Sequence, residues 1–280
     1  MATTLRPFAG AEHEPYFLEG SVETAALLVH GFPGTPVELR TVGGMLHAAG
    51  LSVEGMLLPG FGRDFGNVAN YSTEEWLAAV LARLDALQGR FAQVLLVGNS
   101  MGAALAMLAA AQRSVDGVLL FAPWWRIKQR RLDALFPLLA PLIPRLHIFR
   151  SARFDDPRFR ALLMRFMPGV DLDDGEVQKA IRDLSLPVSV IAEVRRAGRM
   201  GGAAAPGVAA PTLIVQGVRD ILVHPSVTSE LVQLMPNLVG IALANGDHEL
   251  AHMAHADERA LEPLIAHFAH MVAQNAWRMP

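Results

Sequence analysis

Ser100, Asp220 and His248 are the side chains of this sequence whose types combine into one chemistry, acyl transfer through an activated hydroxyl. A serine hydroxyl is a weak nucleophile at neutral pH and needs a base within hydrogen-bond reach. An imidazole, with an ordinary pKa of about 6.5, takes that proton and returns it to a leaving group. A carboxylate behind the imidazole fixes its tautomer and steadies the imidazolium. Ser100 sits in Gly98-Asn99-Ser100-Met101-Gly102, between the apolar run Val94 to Val97 and a block of small and long apolar residues. That order reads as strand, sharp turn, buried helix. A serine at the tip of such a turn has little room on either side, so the residues two before and two after it lack side chains. The turn lifts the hydroxyl out of the sheet and points the first amides of the helix at whatever binds there.

Stepping outward from these residues, apolar runs at 25–29, 53–58, 94–97, 118–121, 213–215 and 238–243 have strand length and end at loop signals. Helical patterns lie between them: Pro36 to Ala49, Ser72 or Thr73 to Leu87 with Glu74 and Glu75 in the first turn, the block after Ser100, Ser226 to Leu234, and Ala251 to Ala273. Alternation of this kind predicts an α/β fold, a mostly parallel sheet covered by helices on both faces. Ligands in such sheets bind at the carboxyl ends of the strands. Asp220, in QGVRD, and His248, in NGDHE, both follow strands and so lie on the same rim as Ser100. Between residues 124 and 205 the alternation stops. That stretch holds helical segments and no convincing strand, and is too long for a loop. It divides the chain into a core, 1–123 and 206–280, and a helical cap, 124–205. The Gly- and Ala-rich end of the cap, Gly198 to Gly207, is expected to be a flexible return.

Several residues have duller readings. Asp220 could cap a helix, and Asp247 is its rival as the carboxylate, though as the neighbour of His248 it is expected to point elsewhere. His30 is expected to hold its loop by hydrogen bonds. Trp124 and Trp125, at the entrance to the cap, either pack or floor a substrate pocket. His248-Glu249-Leu250-Ala251-His252 spells H-E-x-x-H, with His255 as a third candidate, the pattern of a zinc hydrolase. That chemistry needs both histidines on one face of a continuous helix, whereas Gly246-Asp247 place His248 on a loop or at a helix start.

With hydrophobic residues at 52% and charged ones at 18%, the chain has material for a large core and is not disordered. Of its 24 Lys and Arg and 27 Asp and Glu, 15 and 9 fall between Arg126 and Arg199, a basic insert in an acidic body. Without aromatic interleaving, that basic stretch is read as a solvated helical surface and not as a nucleic-acid site. The absence of cysteine excludes disulfides, thiolate catalysis and thiolate-held metal. No apolar run of signal-peptide length opens the sequence, so a cytoplasmic location is expected. Residues 132–149 are apolar but interrupted by Pro137, Pro141, Pro144 and Arg145, short of the ~20 residues of a membrane helix.

HGFPG at 30–34, LPGFGRD at 58–64, GNSMG at 98–102, Asp220 and His248 together resemble the α/β-hydrolase superfamily, in particular small carboxylesterases and monoacylglycerol lipases, over nearly the whole chain. The resemblance implies an α/β-hydrolase fold with a cap over an acyl pocket, Ser100, Asp220 and His248 as the catalytic residues, and the backbone N–H groups of Phe32 and Met101 as an oxyanion hole. For Phe32 there is also a direct reason: a loop ending the strand beside the nucleophile can aim an amide at the same point. The function expected is a serine ester hydrolase cleaving carboxylic esters with an aliphatic acyl chain, since apolar residues such as Leu135, Leu138, Leu142 and Leu163 crowd the cap. It needs no cofactor and no metal. The partner expected is a small-molecule ester, with no nucleic acid, no stable membrane insertion, and a homodimer left open. The same three residues also serve thioesterase, amidase, C–C hydrolase or perhydrolase chemistry; a zinc hydrolase or a non-catalytic binding protein are the readings outside it.

Overall fold

Strands that are apolar at nearly every position must bury both faces, and the centre of the sheet is built from such strands. The computed structural model describes residues 8–276 except 9, 148, 168 and 169. In chain order the sheet contains β1 (Tyr16–Leu18), β2 (Thr24–Val29), β3 (Ser52–Met56), β4 (Gln93–Asn99) and β5 (Gly117–Phe121), then, after the insert, β6 (Thr212–Gly217) and β7 (Leu238–Ala244). Their spatial order is β1-β3-β2-β4-β5-β6-β7, parallel throughout except for β1, which runs antiparallel to β3. The period of two divides the side chains between two cores. Leu27, Val29, Val94, Leu96, Val118, Leu120 and Ile214 point to one. Leu28, Leu95, Val97, Leu119, Phe121, Leu213 and Val215 point to the other.

Helices close both faces. On one side lie α1 (Arg40–Ala48), with Val42 and Leu46, and the C-terminal helix described below. On the other lie α2 (Thr73–Gln88), with Trp76 and Leu84, and α3 (Met101–Ala110), buried on every face because the insert covers it. Ser72 caps α2 with a reciprocal box, its hydroxyl accepting from the Glu75 N–H and the Glu75 carboxylate accepting from the Ser72 N–H.

The insert contains α4 (Arg130–Leu139), α5 (Pro157–Phe166), α6 (Gly175–Asp183) and α7 (Val188–Ala204). Phe154, Leu163, Met167, Leu172, Val177 and Ile181 form a small core of its own. Leu135, Leu138 and Leu142 do not join it and are exposed. Two expectations are corrected here. The insert does contain strand pairing, although short: Arg145–Leu146 runs antiparallel to Leu186–Pro187. And residues 198–204 are no flexible return but the last turns of α7, packed against α3. Val190, Val194 and Ala197 enter the same core as Trp76 and Leu96, so α7 belongs to the layer that covers the sheet.

Two further elements differ from expectation. The strand β1 is an addition, three residues whose pairing with Ser52–Met56 is non-local and leaves little local pattern. The helix α8 (Pro225–Val232) lies between β6 and β7, and the expected helix 251–273 is three pieces: a 3-10 turn at Leu250–His252, α9 (Ala256–Arg259) and α10 (Glu262–Ala273). The break comes at Met253, which adopts a left-handed φ of 52°. Among the described residues no helix is long and apolar enough to cross a membrane.

Candidate active site

Two glycines dictate the turn at the top of β4. A Cβ on Gly98 would stand 2.5 Å from Ala103 Cα, and one on Gly102 2.1 Å from the Val29 carbonyl oxygen, so neither position accepts a side chain. Between them Ser100 is driven to φ 53°, ψ −114°, where residues with a Cβ are strained. Its N–H donates to the Phe121 carbonyl on β5 at 2.9 Å, and its own carbonyl accepts from the N–H groups of Ala103 and Trp124. The hydroxyl is thereby raised above the carboxyl ends of the strands.

The turns after β6 and β7 bring the other two side chains to it. Asp220 is buried; its Oδ1 accepts from the N–H groups of Leu222 (2.8 Å) and Val223 (2.7 Å), which leaves Oδ2 for His248 Nδ1 at 2.8 Å. An ionised carboxylate only accepts, so Nδ1 carries the hydrogen and Nε2 presents its lone pair. Nε2 lies 3.0 Å from Ser100 Oγ. The His248 side chain is 20% exposed and that of Asp220 0%, so the ring keeps some contact with solvent while the carboxylate behind it stays dry. Asp247, the rival carboxylate, faces outward and accepts from the Glu249 N–H at 3.0 Å.

His30 holds the neighbouring loop. Its Nε2 accepts from the Leu58 N–H at 3.1 Å, so Nδ1 carries the hydrogen and donates to the Gly31 carbonyl at 2.8 Å. Burial pushes its pKa down to about 4, the bond to Gly31 acting in the opposite direction. A planar trans peptide places the N–H opposite the C=O, so gripping the Gly31 carbonyl from one side turns the Phe32 N–H to the other. The N–H groups of Phe32 and Met101 have no acceptor among the described residues. Phe61, from the 58–64 motif, packs edge-on against both His30 (4.9 Å between centroids) and Phe32 (6.1 Å). The motif thus backs the loop with one amide and one ring.

The model of the alpha/beta hydrolase family matches residues 26–262. The chain belongs to the alpha/beta hydrolase family. A thermostable monoacylglycerol lipase from Bacillus sp. (strain H-257) is 31% identical over 97 residues, 35% of this chain, and the match spans only 38% of that relative's length. Among solved structures, one from work on LipS and LipT, two metagenome-derived lipolytic enzymes, superposes with a TM-score of 0.70 at 23% identity, covering 93% of this chain and 98% of the other. The monoacylglycerol lipase of Paleococcus ferrophilus superposes with a TM-score of 0.61 at 18% identity, covering 91% and 99%. At these identities the structural likeness speaks for the fold.

In this α/β hydrolase the two cap-entry tryptophans differ. Trp125 donates from Nε1 to the Val227 carbonyl at 3.0 Å, and its ring lies between Gly202 and the Arg126 guanidinium. Trp124 is tied to the nucleophile turn through its N–H and lies against Gly198. The H-E-x-x-H stretch is not a continuous helix: His248 lies in the loop after β7, and His252 ends a single 3-10 turn. Both nitrogens of His248 are engaged by Asp220 and Ser100. Among the described residues no three His, Asp or Glu side chains converge as metal ligands. Glu38, absent from the sequence motifs, is buried beside Ser100 and hydrogen-bonded to Gly31 and Asn99. Its position after Pro36 at the start of a helix gives only the signal of an ordinary first-turn acid.

Proposed function

We propose that this hydrolase is a serine esterase that cleaves carboxylic esters with an aliphatic acyl chain through an acyl-enzyme on Ser100. One observation carries the proposal: a single imidazole accepts from the Ser100 hydroxyl on one nitrogen and donates to Asp220 from the other. Ser100 Oγ attacks the ester carbonyl carbon as its proton passes to His248 Nε2. The carbonyl oxygen becomes an oxyanion between the Phe32 and Met101 N–H groups, each such donor being worth roughly 3 kcal/mol to the transition state. His248 then protonates the departing alcohol. Water enters by the same route, giving its proton to His248 as it attacks, and releases the acid and the free serine. Asp220 orients the ring and steadies its positive charge throughout. No cofactor or metal takes part in these steps.

The acyl preference is supported by the apolar side chains that the cap leaves exposed, Leu135, Leu138 and Leu142. The substrates named in the monoacylglycerol lipase relatives are esters of the same kind. Ser100→Ala should lower p-nitrophenyl ester hydrolysis at least ~1,000-fold in a chain that melts normally, and a fluorophosphonate should add one label to the wild type, at Ser100. Undiminished turnover in the variant, or a folded wild type that takes no label, would sink the proposal. A panel of esters, thioesters and amides of graded chain length ranks the acyl and leaving groups.

A further inference from the structure

Glu38 is a carboxyl group sealed beneath the site, outside the three side chains of the proposed reaction. Its Oε2 accepts two hydrogen bonds, from the Gly31 N–H at 2.8 Å and from Asn99 Nδ2 at 3.0 Å. Its other oxygen fills the space beside Gly34, where a Cβ would collide with it. The two donors belong to the two pieces of chain that carry the candidate oxyanion amides: Gly31 precedes Phe32, and Asn99 stands two residues before Met101. Gly31 also packs directly on the nucleophile turn, since a Cβ there would lie 3.1 Å from both the Asn99 carbonyl oxygen and Ser100 Cβ. Burying a carboxyl group here is costly, and burial raises its pKa, against the pull of the Gly31 and Asn99 hydrogen bonds and of His248. An apolar side chain would avoid that cost but leave the Gly31 N–H and the Asn99 amide without their acceptor.

We propose that Glu38 is a positioning residue: by accepting from Gly31 and Asn99 on one oxygen, it fixes the distance between the Phe32 and Met101 N–H groups and so tunes their grip on the oxyanion. His30 sets the direction of the Phe32 amide, and Glu38 sets its separation from the serine turn. This inference rests on the reading of Ser100 as nucleophile and of the two amides as oxyanion donors. Because those amides act on charge that develops after binding, loosening them lowers kcat and leaves KM nearly unchanged.

The test uses the full chain with p-nitrophenyl butyrate, and with an aliphatic trifluoromethyl ketone, whose adduct with a serine carries the same oxyanion. Glu38→Ala should lower kcat roughly 10- to 100-fold, with KM within about threefold, and should weaken ketone binding by the factor seen in kcat/KM. Glu38→Gln, whose amide oxygen accepts the same two hydrogen bonds, should recover most of the loss. Glu38→Asp, one methylene too short to reach both donors, should behave as the alanine variant and supplies the measurement if that variant does not fold. Wild-type kcat in a folded alanine or aspartate variant overturns the proposal, as does a loss confined to KM or a glutamine variant no better than alanine. In each of those cases wild-type turnover and Ser100 labelling persist, so the esterase reading stands. A wild type that neither turns over the ester nor takes up fluorophosphonate overturns both.

Discussion

At the residue scale, the turn that presents Ser100 to His248 also costs stability. A non-glycine residue at φ 53°, ψ −114° stores on the order of 1–3 kcal/mol. Glycine relieves that strain and alanine does not, while the greater freedom of glycine in the unfolded chain takes back roughly 0.5–1 kcal/mol. Ser100→Gly is therefore expected to be inactive yet to melt above Ser100→Ala, by a few degrees for each kcal/mol in a chain of this size. Equal melting temperatures would mean that the turn is unstrained. The meeting of Ser100, Asp220 and His248 was legible because each follows an apolar run that ends at a turn signal, and the parallel sheet brings those ends to one rim. Asp220 and Asp247 could be ranked but not separated by sequence. What separates them is the pair of amides at Leu222 and Val223, which turn Asp220 inward. Glu38 was illegible for a different reason: its partner Asn99 lies 61 residues along the chain, and nothing local marks that meeting.

At the element scale, unbroken apolar runs ending at loop signals made six of the seven sheet strands readable, and composition misled at α7. Its run of Gly and Ala looks pliable, and each glycine inside a helix costs about 1 kcal/mol relative to alanine. Tertiary packing overrides that preference. Gly198 and Gly202 make room for Trp124 and Trp125, and Gly201 lies against Ala104 of α3, where a Cβ would stand 2.7 Å from the carbonyl oxygen. Propensity and packing therefore assign opposite signs to Gly201→Ala. The backbone of α3 cannot step aside without moving Met101 and Ser100 at its start, so packing should win, with a loss of about 1–3 kcal/mol. Thermal melts would read this as a lower midpoint, accompanied by slower fluorophosphonate labelling of Ser100. A variant more stable than wild type would show that helical preference governs α7 and that its contact with α3 is loose.

At the scale of the whole molecule, the basic insert is fastened to the acidic body by ion pairs across their boundary, Arg196 with Glu74 on α2 and Arg126 with Glu230 on α8. Pairs within the insert, such as Arg153 with Asp155 and Lys179 with Asp183, are exposed and screened by solvent, so they add little to stability. Two buried groups beneath the site, His30 and Glu38, link stability to pH with opposite signs. The pKa of His30 falls from 6.5 to about 4 on folding. Between those values the unfolded chain binds a proton that the folded chain refuses. The stability contributed by neutral His30 is thus complete above pH 6.5 and is lost as the pH falls toward 4, by about 3 kcal/mol. The carboxyl of Glu38 is raised above 4.5 by burial, so above that pH the folded chain holds a proton the unfolded chain has released. Its contribution therefore grows as the pH falls and offsets part of the His30 loss. Unfolding free energies measured by denaturant titration between pH 7 and 4 should decline in the wild type, decline less in His30→Asn and decline more steeply in Glu38→Gln. Each variant removes one proton site of known sign, so parallel curves would mean that neither group changes its proton affinity on folding.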